Sequence, residues 1–285
     1  MTLNEKIALI TDSSCDLPQE TIEKYDIHLL PLKVIYPNKE YDDRLEITPE
    51  EVYARFPEEI PTTSQPSRAT ATKLLEDLRT KGYKKVLAIL MSSGLSATYE
   101  MVETLRKEFS DMDIRVINSN TLSMGLGLLV KEGAKLLEEK KMNFDEIVNN
   151  LKTAHQKINV FYAIPTLEYL RKGGRIGLVS ATLGSLIDLK PVISVNKEGK
   201  YYSHAKVRGR KKSIAKIVEL VEELTDGKNI NLAVVHGDAE EEGLKLKKYF
   251  EHKPNVKELS FSQISPALVV HTGPGLVGVC YQLID

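Results

Sequence analysis

A chain of 285 residues with 42% hydrophobic content carries enough apolar material for one large core or two ordinary ones. Its 39 basic and 40 acidic residues leave a formal net charge of −1, so no whole-chain field draws it to nucleic acid, and at most transient membrane contact is expected. The two cysteines, Cys15 and Cys280, form neither a disulfide framework nor a metal-binding spacing, and Ile7–Ile10 is too short for a signal peptide or a membrane span. A soluble, cytoplasmic protein is expected.

The first half alternates apolar runs with helical patterns. Ile7–Ile10 reads as a strand closed by Thr11-Asp12-Ser13-Ser14, and Pro18–Tyr25 as a helix with proline at its start. Ile27–Tyr36 is extended but interrupted at Pro31, and Thr48-Pro49-Glu50-Glu51 opens a capped helix. Pro61-Thr62-Thr63-Ser64-Gln65-Pro66-Ser67 holds four hydroxyls and an amide, with the amide and three of the hydroxyls between its two prolines, ahead of a helical run over Ala69–Arg79. Alone, it reads either as a hydroxyl-rich linker in which Ser67 caps the helix, or as a stiff wall for a small anionic group. Val86–Met91 and Ile114–Ile117 are further strands, each ending in Ser, Asn or Thr before a helix. That alternation predicts a parallel sheet with crossover helices, whose ligands sit beyond the carboxyl ends of the strands.

After Asn159 the pattern changes. Val192–Val195 and Tyr201–Val207 flank the turn Asn196-Lys197-Glu198-Gly199, a hairpin signal. Ser213–Leu224 is an amphipathic helix, and Leu232–Val235, Glu240–Phe250, Val256–Phe261 and Gly278–Ile284 read as strand, helix, strand and strand. Hairpins mixed with helices predict a smaller α+β domain with a mixed sheet.

Ser92-Ser93-Gly94 lies between a strand and a helix, where its hydroxyls either cap the helix or help hold a carboxylate. Asp12-Ser13-Ser14 repeats the arrangement, with a structural or hydrogen-bonding role expected for Asp12. His271, in Val269-Val270-His271-Thr272-Gly273-Pro274-Gly275, is placed after an apolar strand and before a rigid turn; it suits a hydrogen-bond donor or base, or a satisfied core histidine. His236-Gly237-Asp238 is a weaker copy. Arg171–Gly177 has two arginines among glycines but lacks the Gly-Lys-Ser/Thr ending of a nucleotide loop. Lys206–Lys212 is a dense basic run that reads as a solvated face or a docking surface for an acidic or phosphorylated partner; no aromatic interleaving supports nucleic acid. Ser, His and Asp are all present, yet Gly-x-Ser-x-Gly is absent.

Taken together, Ile10–Ser14, Pro61–Pro66, Ser92–Gly94, Arg171–Ile176, Lys190-Pro191-Val192, Lys206–Arg208 and His271–Gly275 resemble the DegV family of bacterial fatty-acid-binding proteins, in family order over nearly the whole chain. The resemblance implies a two-domain α/β fold: a three-layer N-terminal domain with a parallel sheet (residues 1–158) and a smaller α+β domain with a mixed sheet (159–285), with a long-chain fatty acid between them. It implies that Thr62, Thr63, Ser93 or Ser92, and His271 hold the carboxylate, with Arg175 near the head group. It further implies a non-catalytic acyl-binding subunit, without cofactor or metal, that presents the carboxylate to a separate ATP-dependent fatty acid kinase subunit for conversion to acyl phosphate. Arg208, Arg210 and Lys211 would belong to the docking region. Leu122–Leu129, Leu167–Leu170 and Leu183–Leu189 are candidate linings for the acyl tail. A stand-alone serine esterase using Ser92 or Ser93, and a lipid-sensing regulatory protein, are the competing expectations.

Overall fold

The computed structural model describes residues 6–182 and 189–284. It opens with β1 (Ile7–Asp12), a tight turn, α1 (Gln19–Lys24) and β2 (Ile27–Leu30). Pro31 ends that extended run, and the chain turns into β3 (Lys33–Tyr36) and β4 (Lys39–Asp42). α2 (Pro49–Tyr53) starts at Thr48, which forms a reciprocal capping box with Glu51. β5 (Thr62–Ser64) precedes α3 (Arg68–Thr80), capped by the Ser67 hydroxyl, which accepts from the Thr70 N–H at 3.0 Å. β6 (Lys85–Leu90), α4 (Thr98–Leu105), β7 (Asp113–Asn118), α5 (Ser123–Glu139) and α6 (Phe144–Ala154) follow.

The second half contains β8 (Ile158–Ala163), α7 (Glu168–Lys172), β9 (Val192–Val195), β10 (Tyr201–Ala205), α8 (Arg210–Leu224), β11 (Asn229–Gly237), α9 (Glu240–Glu251), β12 (Val256–Gln263), α10 (Pro266–Thr272) and β13 (Leu276–Ile284). Three sheets result: a parallel sheet β2-β1-β6-β7, a mixed six-stranded sheet β10-β9-β8-β13-β11-β12, and a small antiparallel sheet β4-β3-β5. The α/β class, the parallel sheet and the mixed sheet agree with the sequence.

Burial explains why the parallel strands are almost continuously apolar. In β6, Val86, Ala88 and Leu90 face a core shared with Leu75 and Leu78 of α3 and Val102 and Leu105 of α4. The alternate residues Leu87 and Ile89 face α5, in a core that continues through Leu129 to Val160 and Tyr162 of the mixed sheet. α5 is therefore covered on both sides, and ten of its residues from Ser123 to Ala134 are buried. A third core, around Phe161, Leu232 and Val234, lies beneath α8 and α9.

Three expectations are corrected. Thr62–Ser64 is a strand rather than a linker, because Ile35, Val34 and Lys33 of β3 pair with it in turn. His271 follows no strand: Val269 and Val270 lie in α10, which starts at Ser265-Pro266, a capping-type residue followed by proline at the first helical position. The helix expected from Ser213 begins at Arg210, so Arg210, Lys211 and Lys212 form its first turn. There they run against the helix dipole.

Candidate functional site

The strands of the parallel sheet deliver their carboxyl ends to one crevice, faced by α10 and the β9–β10 hairpin. β6 runs into Met91-Ser92-Ser93-Gly94-Leu95-Ser96, where the Ser96 N–H returns to the Ser92 carbonyl at 3.1 Å. β5 lies across the opening, and α10 presents its last turn to it.

The polar part of the pocket is formed by Thr63, Ser64, Ser96, Arg175 and His271. His271 Nε2 and Thr63 Oγ1 are 2.7 Å apart. The imidazole is 8% exposed, and burial, reinforced by the positive charge of Arg175, lowers its pKa from 6.5 to about 3, so the ring is neutral at physiological pH. Its Nδ1 is buried with no hydrogen-bond partner among the described residues. A Cβ on Gly173 would lie 2.1 Å from that nitrogen, so glycine is what lets the backbone approach the ring. An unpartnered acceptor costs less than an unpartnered N–H. We therefore assign the proton to Nε2, which donates to Thr63 and leaves the Thr63 hydroxyl hydrogen for a ligand.

Arg175 is half-buried. Its Nη1 donates to the Gly173 carbonyl at 2.8 Å and its Nε more weakly to the Leu95 carbonyl at 3.4 Å. Among the described residues no carboxylate pairs with it, and a guanidinium has five N–H donors, so capacity for an anion remains. Leu122, Tyr201 and Leu268 wall both this space and a second, apolar chamber that also includes Ile164, Leu170, Ile193, Ile264 and Leu276. The two chambers measure about 30 and 20 Å³. Larger clefts of about 890 and 540 Å³ lie elsewhere, but the first is open and rimmed by Glu50, Asp238, Glu240, Glu241 and Glu242, and the second is lined by Asn120, Gln156, Asn159 and Asn196. The second is mainly polar, and the first is not enclosed.

Of the residues singled out in the sequence, Thr63, Arg175 and His271 meet at this pocket. Thr62 is exposed, because side chains alternate along β5 and Thr63 occupies the inner face. Ser92 is fully buried; its hydroxyl donates to the Gly199 carbonyl at 2.8 Å and accepts from the Gly94 N–H at 3.0 Å, clasping the β9–β10 turn. Ser93 accepts from the Asn118 side-chain amide at 2.8 Å. Neither serine bonds a histidine, the contact an activated nucleophile needs. The hydroxyl of this turn that does line the pocket is that of Ser96, bonded at 2.9 Å to Thr98. The sequence reading missed it; the signal was the one-turn spacing from Ser92, four residues on. Leu122 and Leu170 line the chambers, whereas most of Leu122–Leu129 is ordinary core. Of Leu183–Leu189, residues 183–188 lie outside the described residues.

Arg208 and Lys211 are exposed. Arg210 is half-buried, donating to Glu242 Oε2 at 2.6 Å and to the Ala163 carbonyl at 3.0 Å. No group of three or more His, Cys, Asp or Glu among the described residues is placed to hold a metal ion, and no described helix is long and apolar enough to cross a membrane.

These features define an α/β protein with a polar-mouthed apolar pocket between a parallel and a mixed sheet. The DegV family model matches residues 6–283, and the chain belongs to the DegV family. A DegV domain-containing protein of Clostridium acetobutylicum is 43% identical over 275 residues, covering 96% of this chain and 98% of its own. A DegV family protein from Thermus thermophilus, described for its fatty acid binding, superposes with a TM-score of 0.91 at 30% identity, covering 98% of this chain and 100% of that one. DegV of Bacillus subtilis, described as a fatty acid binding protein, gives 0.90 at 28% identity over the same shares.

Proposed function

We propose that this protein binds a long-chain fatty acid, with the carboxylate among Thr63, Ser96, Arg175 and His271 and the chain directed past Leu122, Tyr201 and Leu268 into the apolar chamber. The observation that carries this reading is the junction itself: a cation with no carboxylate partner among the described residues and a neutral His–Thr pair open directly onto leucine and isoleucine. Burying roughly 15 methylenes at about 0.8 kcal/mol each contributes on the order of 12 kcal/mol before ordering costs. A charge-assisted hydrogen bond adds about 1.5–3 kcal/mol. The chain supplies affinity and the head group supplies orientation. Chambers of 20–30 Å³ are far below the roughly 300–1,000 Å³ of an occupied ligand pocket, so the lining side chains must part on loading.

In this reading the protein is a cytoplasmic, non-catalytic carrier that presents the carboxylate to a separate ATP-dependent kinase subunit. The proposed division into domains at 158/159 falls one residue inside β8, the first strand of the mixed sheet in chain order. Arg208 and Lys211, with Arg210 behind them, form the docking patch. The place of Arg210 and Lys211 in the first turn of α8, against the dipole, is a local cost that helix stability does not explain. Palmitate titration of the delipidated protein tests the reading: saturable binding that Thr63→Ala and Arg175→Ala weaken is expected, and absence of binding would refute it. For the docking patch, Arg208→Glu with Lys211→Glu is expected to reduce acyl phosphate formation with a partner kinase while palmitate binding stays intact.

A further inference from the structure

The loop Asp12-Ser13-Ser14-Cys15-Asp16 lies beneath the pocket, and its polar side chains leave the loop to reach the pocket walls. Asp12 accepts from the Met91 N–H at 2.7 Å. Ser13 accepts from the Leu32 N–H at 2.9 Å and donates to Asp43 at 2.5 Å. Met91 and Leu32 both line the polar chamber. Asp16 accepts from the Ser123 hydroxyl at 2.5 Å and the Ser265 N–H at 2.8 Å, and Asp43 accepts from the Ala267 N–H at 2.9 Å. Ser265 is the N-cap of α10 and Ala267 its second residue; His271 is in its last turn. Ser123, held at φ 53°, is the first residue of α5 and adjoins Leu122, which walls both chambers.

Asp12 and Asp43 are 0% exposed and Asp16 2%. Burying three carboxyl groups is costly, and apolar side chains of similar size commonly fold as well or better. Nearby, Arg44 spends its guanidinium on the Leu17 carbonyl at 2.7 Å and the Cys15 sulfur at 3.7 Å. What carboxyl oxygens provide and methyl groups do not is direction, one donor per oxygen. Every side-chain oxygen of Asp16 and Asp43 is used, and the donors belong to α5, to the start of α10 and to Ser13, whose hydroxyl also holds the Leu32 N–H.

We propose that Asp16 and Asp43 are positioning residues for head-group binding: together they fix α10 at its N-terminal end, so that His271 meets Thr63, and Asp16 also sets α5 against α10. This rests on the fatty-acid reading for its binding arm only.

The test uses the delipidated full chain and the near-isosteric variants Asp16→Asn and Asp43→Asn, with Leu78→Ala as the control. Leu78 is buried in the core on the far side of the parallel sheet, away from α10. Three quantities are read: thermal midpoint, palmitate affinity, and the imidazole ¹⁵N resonances of His271. Positioning predicts displaced His271 resonances and about tenfold weaker palmitate binding in both Asp variants. The control, at comparable loss of midpoint, keeps its resonances in place and its affinity within about twofold. Undisplaced His271 resonances in the Asp variants, or equal displacement in Leu78→Ala, overturn the proposal. Should Asp16→Asn fail to fold, Ser13→Ala, which removes one partner of Asp43 and does not line the pocket, is held to the same two outcomes. If the parent protein binds no palmitate, the fatty-acid reading falls and the His271 resonances still decide the positioning role.

Discussion

The two ends of α10 are built on opposite principles. At the N-terminal end the buried groups are saturated: Ser265 and Ala267 give their N–H groups to Asp16 and Asp43, whose second oxygens take hydroxyls from Ser123 and Ser13. Four residues beyond Ala267, His271 has, among the described residues, one hydrogen bond, an unpartnered Nδ1 and, beside it, an arginine with no carboxylate partner. Both ends are buried and polar, so burial alone does not mark a binding site. Saturated networks rigidify a fold, whereas donors left over at a pocket edge are available to a ligand.

The largest expected effect breaks the closed end. Asp43→Ala leaves the Ser13 hydroxyl proton and the Ala267 N–H without acceptors, each costing about 1–3 kcal/mol, so urea unfolding should show a loss on the order of 2–5 kcal/mol. Arg175→Ala, at the open end, is expected to lower palmitate affinity by about 10- to 100-fold while stability changes by less than about 1 kcal/mol. Equal stability losses in the two variants would erase the distinction between the ends.

Gly173→Ala acts on the open end without removing any of its polar groups. The new Cβ would overlap the His271 ring at 2.1 Å and push it from Thr63. Palmitate binding about tenfold weaker is expected, with displaced His271 imidazole resonances and no gross unfolding. Unchanged resonances would place the ring elsewhere than 2.7 Å from Thr63.

Features determined locally could be read from the sequence. The Thr48 capping box and the Ser67 cap involve residues three apart, and both are present. The apolar strands of the parallel sheet announced themselves because both faces are buried. β5 did not: a three-residue strand has no periodicity, and it exists because residues about 30 positions earlier pair with it. α10 was hidden by its own composition, since Val269 and Val270 favour strands, although Ser265-Pro266 was the legible counter-signal. Thr63 and Thr62 looked equivalent until pairing put one on each face of β5. The bonds of Asp16 to Ser123 and Ser265 span 107 and 249 residues, a separation at which no local signal survives.

The serines of the β6–α4 turn permit a finer comparison of holding and binding. Ser96→Ala removes a pocket hydroxyl and is expected to weaken palmitate binding about tenfold with little change in stability. Ser92→Ala removes the clasp on Gly199 and is expected to cost about 1 kcal/mol of stability, with affinity within about threefold of the parent. Titration of the two variants alongside chemical denaturation separates the outcomes; reversed effects would move the head group toward Ser92.

The smallest expected effect is in pH dependence, and it has opposite sign at the two ends of α10. Burial raises the Asp16 and Asp43 pKa values to about 7, so between roughly pH 4 and 7 the folded protein holds protons that the unfolded chain has released. Their contribution therefore grows as pH falls through 7. His271, lowered to about 3 chiefly by burial, refuses a proton that the unfolded chain binds below about 6.5. Its contribution is present above that value and is lost as pH falls toward 3. Asp43→Asn should thus lose more stability relative to the parent at pH 6 than at pH 7, and His271→Asn less, each difference amounting to about 1 kcal/mol or below. Urea unfolding at the two pH values reads both signs. A shared sign would mean that one end of the helix carries a different charge state from the one its burial dictates, and the His271 variant would identify which end.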